Sequence, residues 1–126
     1  MKAENLMIGD YVQTEGKSIM VDAVHQKKVG WHNQQDRLSW VREGLLEPIP
    51  LTAEILKNNG FKRDGGASIG YYGKYTLVLM HWSEDRMQFV ISDDRPGWVL
   101  KLDISYVHEL QQALRLCRIP MKIELP

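Results

Sequence analysis

Apolar positions along this chain recur at two spacings, and the changes between them mark out its elements. Leu6-Met7-Ile8 is an apolar cluster, followed by a Gly9-Asp10 turn that leads into a strand through Tyr11 and Val12. Glu15-Gly16-Lys17 breaks that strand as a hairpin does, because glycine reaches positive φ without steric cost. Ser18 to His25 then reads as a strand carrying Ile19, Val21 and Val24, and Gln26-Lys27-Lys28 reads as a polar turn. Val29 and Trp31 share one side of the next strand, and Leu38 and Trp40 share one side of the strand after it. The polar stretch Asn33-Gln34-Gln35-Asp36 turns between them. Four or five short strands joined by tight turns predict a small meander closing into an SH3-like barrel.

The pattern changes at Pro48 and Pro50. Each proline drives its predecessor toward extended geometry, so Glu47 to Leu51 is an extended connector along an edge. A short helix follows, with Thr52 as N-cap, Glu54 in the first turn, and Leu51 able to staple onto Leu56. Gly60 suits the left-handed position past its end, with Phe61 folding back onto Leu56; Ile55 and Leu56 form its buried face.

Alternation returns at Ile69. Tyr75 to Trp82 is apolar on both faces and predicts a central strand covered on each side. Arg86 to Ser92 alternates, with Met87, Phe89 and Ile91 together. Trp98, Leu100 and Leu102 share a face opposite Val99 and Lys101, after a Pro96-Gly97 turn of type II character. These three segments predict an antiparallel meander. A last helix starts after Asp103, with Val107, Leu110, Leu114 and Cys117 on one face, and Pro120 ends it. Met121 to Leu125 alternates as a terminal strand would. The expected fold is α+β, a single compact domain over 1–126 with an SH3-like part in 1–50 and helix, meander and helix in 51–126.

Composition narrows the functional classes. The 126 residues hold 16 Lys and Arg against 16 Asp and Glu, and neither half is polarised: six basic and seven acidic up to Pro50, ten and nine after it. A nucleic-acid binder usually carries a basic excess, because phosphate neutralisation supplies much of its affinity. Cys117 is the single cysteine, which rules out an intrachain disulfide and multi-cysteine zinc frameworks. The first residues lack the apolar run of a secretory leader, and Thr76 to Met80, the longest strongly apolar run, is too short to span a bilayer. The expected location is the cytoplasm, without membrane association.

Chemistry-bearing motifs resolve toward structural roles. Gly65 to Lys74 resembles a phosphate loop only superficially. Ser68 stands where the first glycine is needed, Tyr75 where Ser or Thr should follow the lysine, and a strand comes next instead of a helix. It reads as a mobile glycine-rich hairpin or loop on which Tyr71 and Tyr72 can meet a ligand. His25, His32, His81 and His108 lack the helical pair spacing of a zinc site, and Gln112 stands where a second histidine would follow His108. Cys117 sits on the apolar helix stripe, where a thiol behaves as a small hydrophobe; Arg115 and Arg118 are its nearby cations. Glu84-Asp85 and Asp93-Asp94 fall in turns, where acidic residues are solvated. No catalytic residue, metal site or cofactor is assigned.

The aromatics carry the functional expectation. Trp31, Trp40, Trp82 and Trp98 each fall on a strand and suit a core, yet SH3-like modules also present aromatic side chains to peptides. Trp31, Trp40, Tyr71 and Tyr72 are therefore the candidate partner-binding surface. Lys27, Lys28 and Arg37 are the candidate contacts for an alternative nucleic-acid-binding reading. A small enzyme using His81 or His108 with a nearby acid is the third reading.

Three segments in order, Leu6-Met7-Ile8-Gly9-Asp10-Tyr11-Val12, Pro48-Ile49-Pro50-Leu51-Thr52 with the helix ending at Gly60-Phe61, and Tyr106-Val107-His108-Glu109-Leu110-Gln111, carry a family resemblance. Together they resemble a set of short proteins recurring in Bacteroidetes genomes, often in phage or mobile-element regions. That family brings no activity to transfer, and Gln112 to Cys117 departs from its usual continuation through an Asn and an aromatic stretch. The resemblance implies an accessory protein of such origin. The leading expectation is a non-catalytic module that binds a protein partner.

Overall fold

The computed structural model describes residues 1–83, 85–95, 97 and 99–126. Contacts divide the chain into two compact units, Met1–Ile49 with Tyr106–Gln112, and Pro50–Ser105 with Ala113–Pro126. The division falls one residue before the expected 50/51 boundary. It also assigns Tyr106–Gln112 to the first unit, whereas the sequence pattern grouped that segment with the later elements.

In the first unit, β1 (Tyr11–Thr14) and β2 (Lys17–Met20) form a hairpin closed by Glu15 and Gly16, both at positive φ (52° and 75°). This is the two-residue turn that matches strand twist. β2 runs on through Val21, whose amide donates to the Asp10 carbonyl at 2.8 Å; one residue later the Asp22 amide donates to Gly30 instead. The chain thus turns a corner at Val21-Asp22 and enters a second sheet, β3 (Ala23–His25), β4 (Lys28–His32) and β5 (Leu38–Arg42), paired in that order. A 3-10 turn, Glu43–Leu45, leads to β6 (Leu46–Glu47), which returns antiparallel to β1.

The α+β class holds, with two three-stranded sheets in place of one closed meander. Among the described residues no strand ladder joins β2–β1–β6 to β3–β4–β5, so the barrel is not closed by pairing. Two local causes are visible: pairing switches partners at the Val21-Asp22 corner, and β6 stops at Pro48, which has no N–H to extend a ladder. Ala3, Leu6, Val12, Ile19, Val21, Val29 and Leu46 form the core, with Trp31 and Val41 packed against it. The buried Gln111 side chain accepts from the Tyr11 amide at 2.8 Å and donates to the Gly9 carbonyl at 2.9 Å.

The second unit holds α1 (Ala53–Asn58), capped as expected: the Thr52 hydroxyl accepts from the Ile55 amide, and Gly60 lies at φ 89°. Its five-stranded antiparallel sheet runs β11 (Leu100–Ile104), β10 (Arg86–Ser92), β9 (Tyr75–Ser83), β8 (Ala67–Tyr72), β7 (Lys62–Asp64). The expected meander is β9, β10 and β11. Its Pro96-Gly97 turn and the placement of Trp98 fall on Pro96 and Trp98, which with Glu84 lie outside the described residues.

The glycine-rich stretch Gly65 to Lys74, expected as a mobile hairpin or loop, contains β8 and the turns that join it to β7 and β9. Gly65 and Gly73 take positive φ in tight turns at either end of β8. Gly70 lies under Phe61, where an added Cβ would come within 2.8 Å of the ring. Close backbone approach, not mobility, accounts for that glycine. β9 was expected to be covered on each side; Leu77 and Leu79 are buried, but Met80 and Trp82 are exposed, so only one face is covered. α2 (Val107–Leu116) spans the division between units. The tail forms no strand. Instead the Asn59 side chain bonds the Glu124 backbone in both directions, donating to its carbonyl at 2.9 Å and accepting from its amide at 2.7 Å, which satisfies the backbone a strand partner would have paired.

Candidate functional site

The site begins with alternation along β4. Val29 is buried, so Lys28, Gly30 and His32 point to the opposite, outer face of the β3–β4–β5 sheet. Register then fixes their neighbours. His25, Lys28 and Arg42 lie in one row across the sheet; Ala23, Gly30 and Trp40 in the next; His32 and Leu38 in the third.

Gly30 is the hinge of this arrangement. A Cβ there would meet Leu38 Cδ1 at 3.0 Å, Ala23 Cβ at 3.2 Å and Trp40 Cζ3 at 3.3 Å. Trp40 and Leu38 therefore close over the bare β4 backbone. The indole remains 47% exposed, and the His25 ring meets it edge to face at 6.4 Å. Beside this platform a groove is lined by Lys27, Lys28, Arg42, Glu43, Gly44 and Leu45. Its one carboxylate is engaged, since Glu43 Oε2 accepts from the Ala3 amide at 2.9 Å. Lys27, Lys28 and Arg42 form no ion pair among the described residues. At the far end of the sheet, Asp22 Oδ2 accepts from both the His32 amide and its Nδ1, and this bonding holds the Asp22 carboxyl below its ordinary range. The face thus offers an aromatic and aliphatic platform with three cations along one side.

Of the residues singled out in the sequence, Trp40, Lys27 and Lys28 meet here. Trp31 turns to the other face. It packs against the core with Lys17 Nζ 4.7 Å above its ring, and its Nε1 is buried with no hydrogen-bond partner among the described residues. Arg37 sits at the β4–β5 turn, where the Asn33 side chain accepts from its amide, at the end of the sheet away from Lys28. Tyr71 and Tyr72 are exposed on β8 in the second unit. Sequence reasoning missed Arg42, Leu45 and Gly30, and weighed His25 only as a metal ligand. The signal for Arg42 was its pairing with Lys28, which follows once the Asn33 turn sets the hairpin register.

The catalytic candidates have other surroundings. His81 Nε2 lies 2.8 Å from the buried Ser68 hydroxyl, and no acid bonds His81 among the described residues. Burial, with Arg63 nearby, lowers its pKa. His108 stacks on Tyr106 at 6.0 Å, with its Nδ1 buried and without a hydrogen-bond partner among the described residues. Burial lowers its pKa too, against the opposing pull of Asp10 and Glu109. Burial pushes the Cys117 thiol up, away from the thiolate. No group of three His, Cys, Asp or Glu among the described residues is placed to hold a metal ion, and no described helix is long and apolar enough to cross a membrane. No protein-family model, curated protein or solved structure matches the chain.

Proposed function

We propose that this chain is a non-catalytic binding module whose first unit, an SH3-like barrel in strand order, holds an extended acidic segment of a protein partner. The observation that carries the reading is Trp40, half-exposed across Gly30 with Lys28 and Arg42 in the adjoining row. An apolar side chain of the partner rests on Trp40 and Leu38. Its carboxylates reach Lys27, Lys28 and Arg42, the charge-assisted contacts by which acidic motifs are recognised. Tryptophan and arginine are also the residues that most often dominate binding energy at interfaces.

The barrel assignment is supported by the corner at Val21-Asp22, the 3-10 turn before the last strand, and the return of β6 to β1. A protein partner is favoured over nucleic acid by the extent of the charge: three cations beside Trp40 match a few carboxylates, whereas tracking a nucleic-acid backbone calls for a basic excess that 16 basic residues against 16 acidic do not supply. An origin in phage or mobile elements is part of the proposal and rests on the three-motif resemblance.

The test is titration by fluorescence anisotropy with three labelled probes: an acidic nonapeptide of Glu and Asp with a central Leu, its Lys-substituted counterpart, and a ten-residue thymidine oligonucleotide. The expected result is binding of the acidic peptide alone, weakened about tenfold or more by Trp40→Ala and by K28E/R42E. Tighter binding of the oligonucleotide, or no binding of any probe, would overturn the reading.

A further inference from the structure

The five-stranded sheet of the second unit has an uncovered face with a regular charge pattern. Register places Lys62, Ile69, Val78, Val90 and Lys101 in one row across all five strands. The next row on the same face, two residues along each strand, is Asp64, Ala67, Met80, Gln88 and Asp103. Each row is uncharged in its middle three positions. One ends in lysine at both edges and the other in aspartate at both edges.

The face is open. Met80 is 41% exposed, and Tyr71 (71%) and Trp82 (62%) stand beyond the two rows at opposite ends. Trp82 shares a shallow hollow with Arg86, Gln88 and Asp103, which keeps it on this face through the β-bulge between β9 and β10. A contiguous apolar patch rimmed by charge is the usual mark of an interaction surface.

We infer that this face binds a second copy of the chain, sheet against sheet, about a two-fold axis parallel to the rows and midway between them. The charge pattern selects that axis. A rotation about it lays each lysine row over the other copy's aspartate row, so Lys62 meets Asp64 and Lys101 meets Asp103 at four places. A two-fold axis parallel to the strands would instead lay Lys62 over Lys101 and Asp64 over Asp103, like against like. Asp103 already accepts from Arg86 at 3.1 Å, which leaves Asp64 as the stronger acceptor for the second copy.

The same rotation brings Tyr71 of one copy beside Trp82 of the other and stacks the aliphatic middles of the rows. Sheets packed face to face keep their strands nearly aligned, as this arrangement does. Five strands about 4.8 Å apart and seven residues at about 3.4 Å give a face roughly 20 Å on a side. Two such faces bury roughly 800 Å², which places the contact among weak, concentration-dependent associations. An isologous contact of this kind closes at two copies.

The test is sedimentation velocity on the full chain across a hundredfold concentration range. Wild type is expected to dimerise. Lys62→Asp, on an exposed edge strand, turns two attractive pairs into repulsive ones and should weaken dimerisation about tenfold or more. The swapped variant K62D/D64K restores self-complementarity and should recover it, with circular dichroism confirming the same fold in all three. A monomer at every concentration, a dimer indifferent to Lys62→Asp, or a K62D/D64K variant that stays dissociated would each overturn the proposal.

Discussion

The Gln111 side chain stands in for a strand beside Tyr11, accepting from its amide at 2.8 Å while donating to the Gly9 carbonyl at 2.9 Å. One amide group thereby satisfies backbone on both sides of the buried Asp10. Gln111→Ala should cost about 1–3 kcal/mol, because a backbone donor and acceptor lose their partner together. Gln111→Glu keeps the acceptor for Tyr11 but sets a carboxylate oxygen against the Gly9 carbonyl at neutral pH. It should destabilise at least as much as alanine at pH 7. Relative to wild type at the same pH, it should recover near pH 4, where a protonated carboxyl donates again. Urea unfolding at the two pH values measures both effects.

Gly70 and Phe61 make a second structural test. A Cβ at Gly70 would lie 2.8 Å and 2.9 Å from two ring carbons of Phe61, closer than real contacts allow. Gly70→Ala should destabilise by about 1–3 kcal/mol, the usual cost of overpacking. Pairing it with Phe61→Leu should remove part of that penalty, so the double-mutant cycle should show coupling of about 0.5 kcal/mol or more. Additive effects would show that the ring moves aside without cost.

How much was legible in the sequence follows from how local each signal is. The α1 boundaries were readable because Thr52, Gly60 and Phe61 act within a few residues of one another. The β9–β10–β11 meander was readable from alternation in the same way. β7 was not, and β8 was read only as part of a hairpin or loop with alternation from Ile69, because glycine signals a turn and a close approach identically, and only Phe61 packed against Gly70 separates them. β9 looked covered on both faces because Val78 and Met80 are as apolar as Leu77 and Leu79; burial distinguishes them, and hydrophobicity cannot. At the candidate site Trp40 and Lys28 were found, but Arg42 joins them through cross-strand register, a non-local property. The bond from Gln111 to Tyr11 crosses 100 residues and left no trace in the local pattern.

Stability should fall on the acid side of neutrality because of His108. Burial lowers its folded pKa below the unfolded value of about 6.5, so the unfolded chain takes up the proton first. The neutral-histidine contribution is therefore complete above about pH 6.5 and declines as pH falls from there toward the depressed folded pKa. His81, lowered by burial and Arg63, adds to the same slope. His108→Phe keeps a ring against Tyr106 and removes a buried Nδ1 that lacks a partner among the described residues. It should match or exceed wild-type stability at pH 7.5, by up to about 1 kcal/mol, and flatten the decline between pH 6.5 and 5. Thermal midpoints across that range check the sign. A steeper decline in the variant would place the titration elsewhere.

Gly30 and Trp40 should separate binding from stability. Trp40 is 47% exposed, so Trp40→Ala removes little burial from the fold and should shift stability by about 1 kcal/mol or less while removing the platform. Gly30→Ala acts differently. Its Cβ would sit 3.0–3.3 Å from Leu38, Ala23 and Trp40 on the outer face, so the flexible Leu38 and the Trp40 ring must lift away from β4. That substitution leaves the indole present and the core face untouched, but tilts the surface the partner uses. Affinity for the acidic peptide should drop severalfold while the thermal midpoint moves little. Indole emission should shift to the red as Trp40 becomes more solvated, and a Gly30→Ala variant with wild-type affinity would show that the ring's seat on β4 is irrelevant to binding.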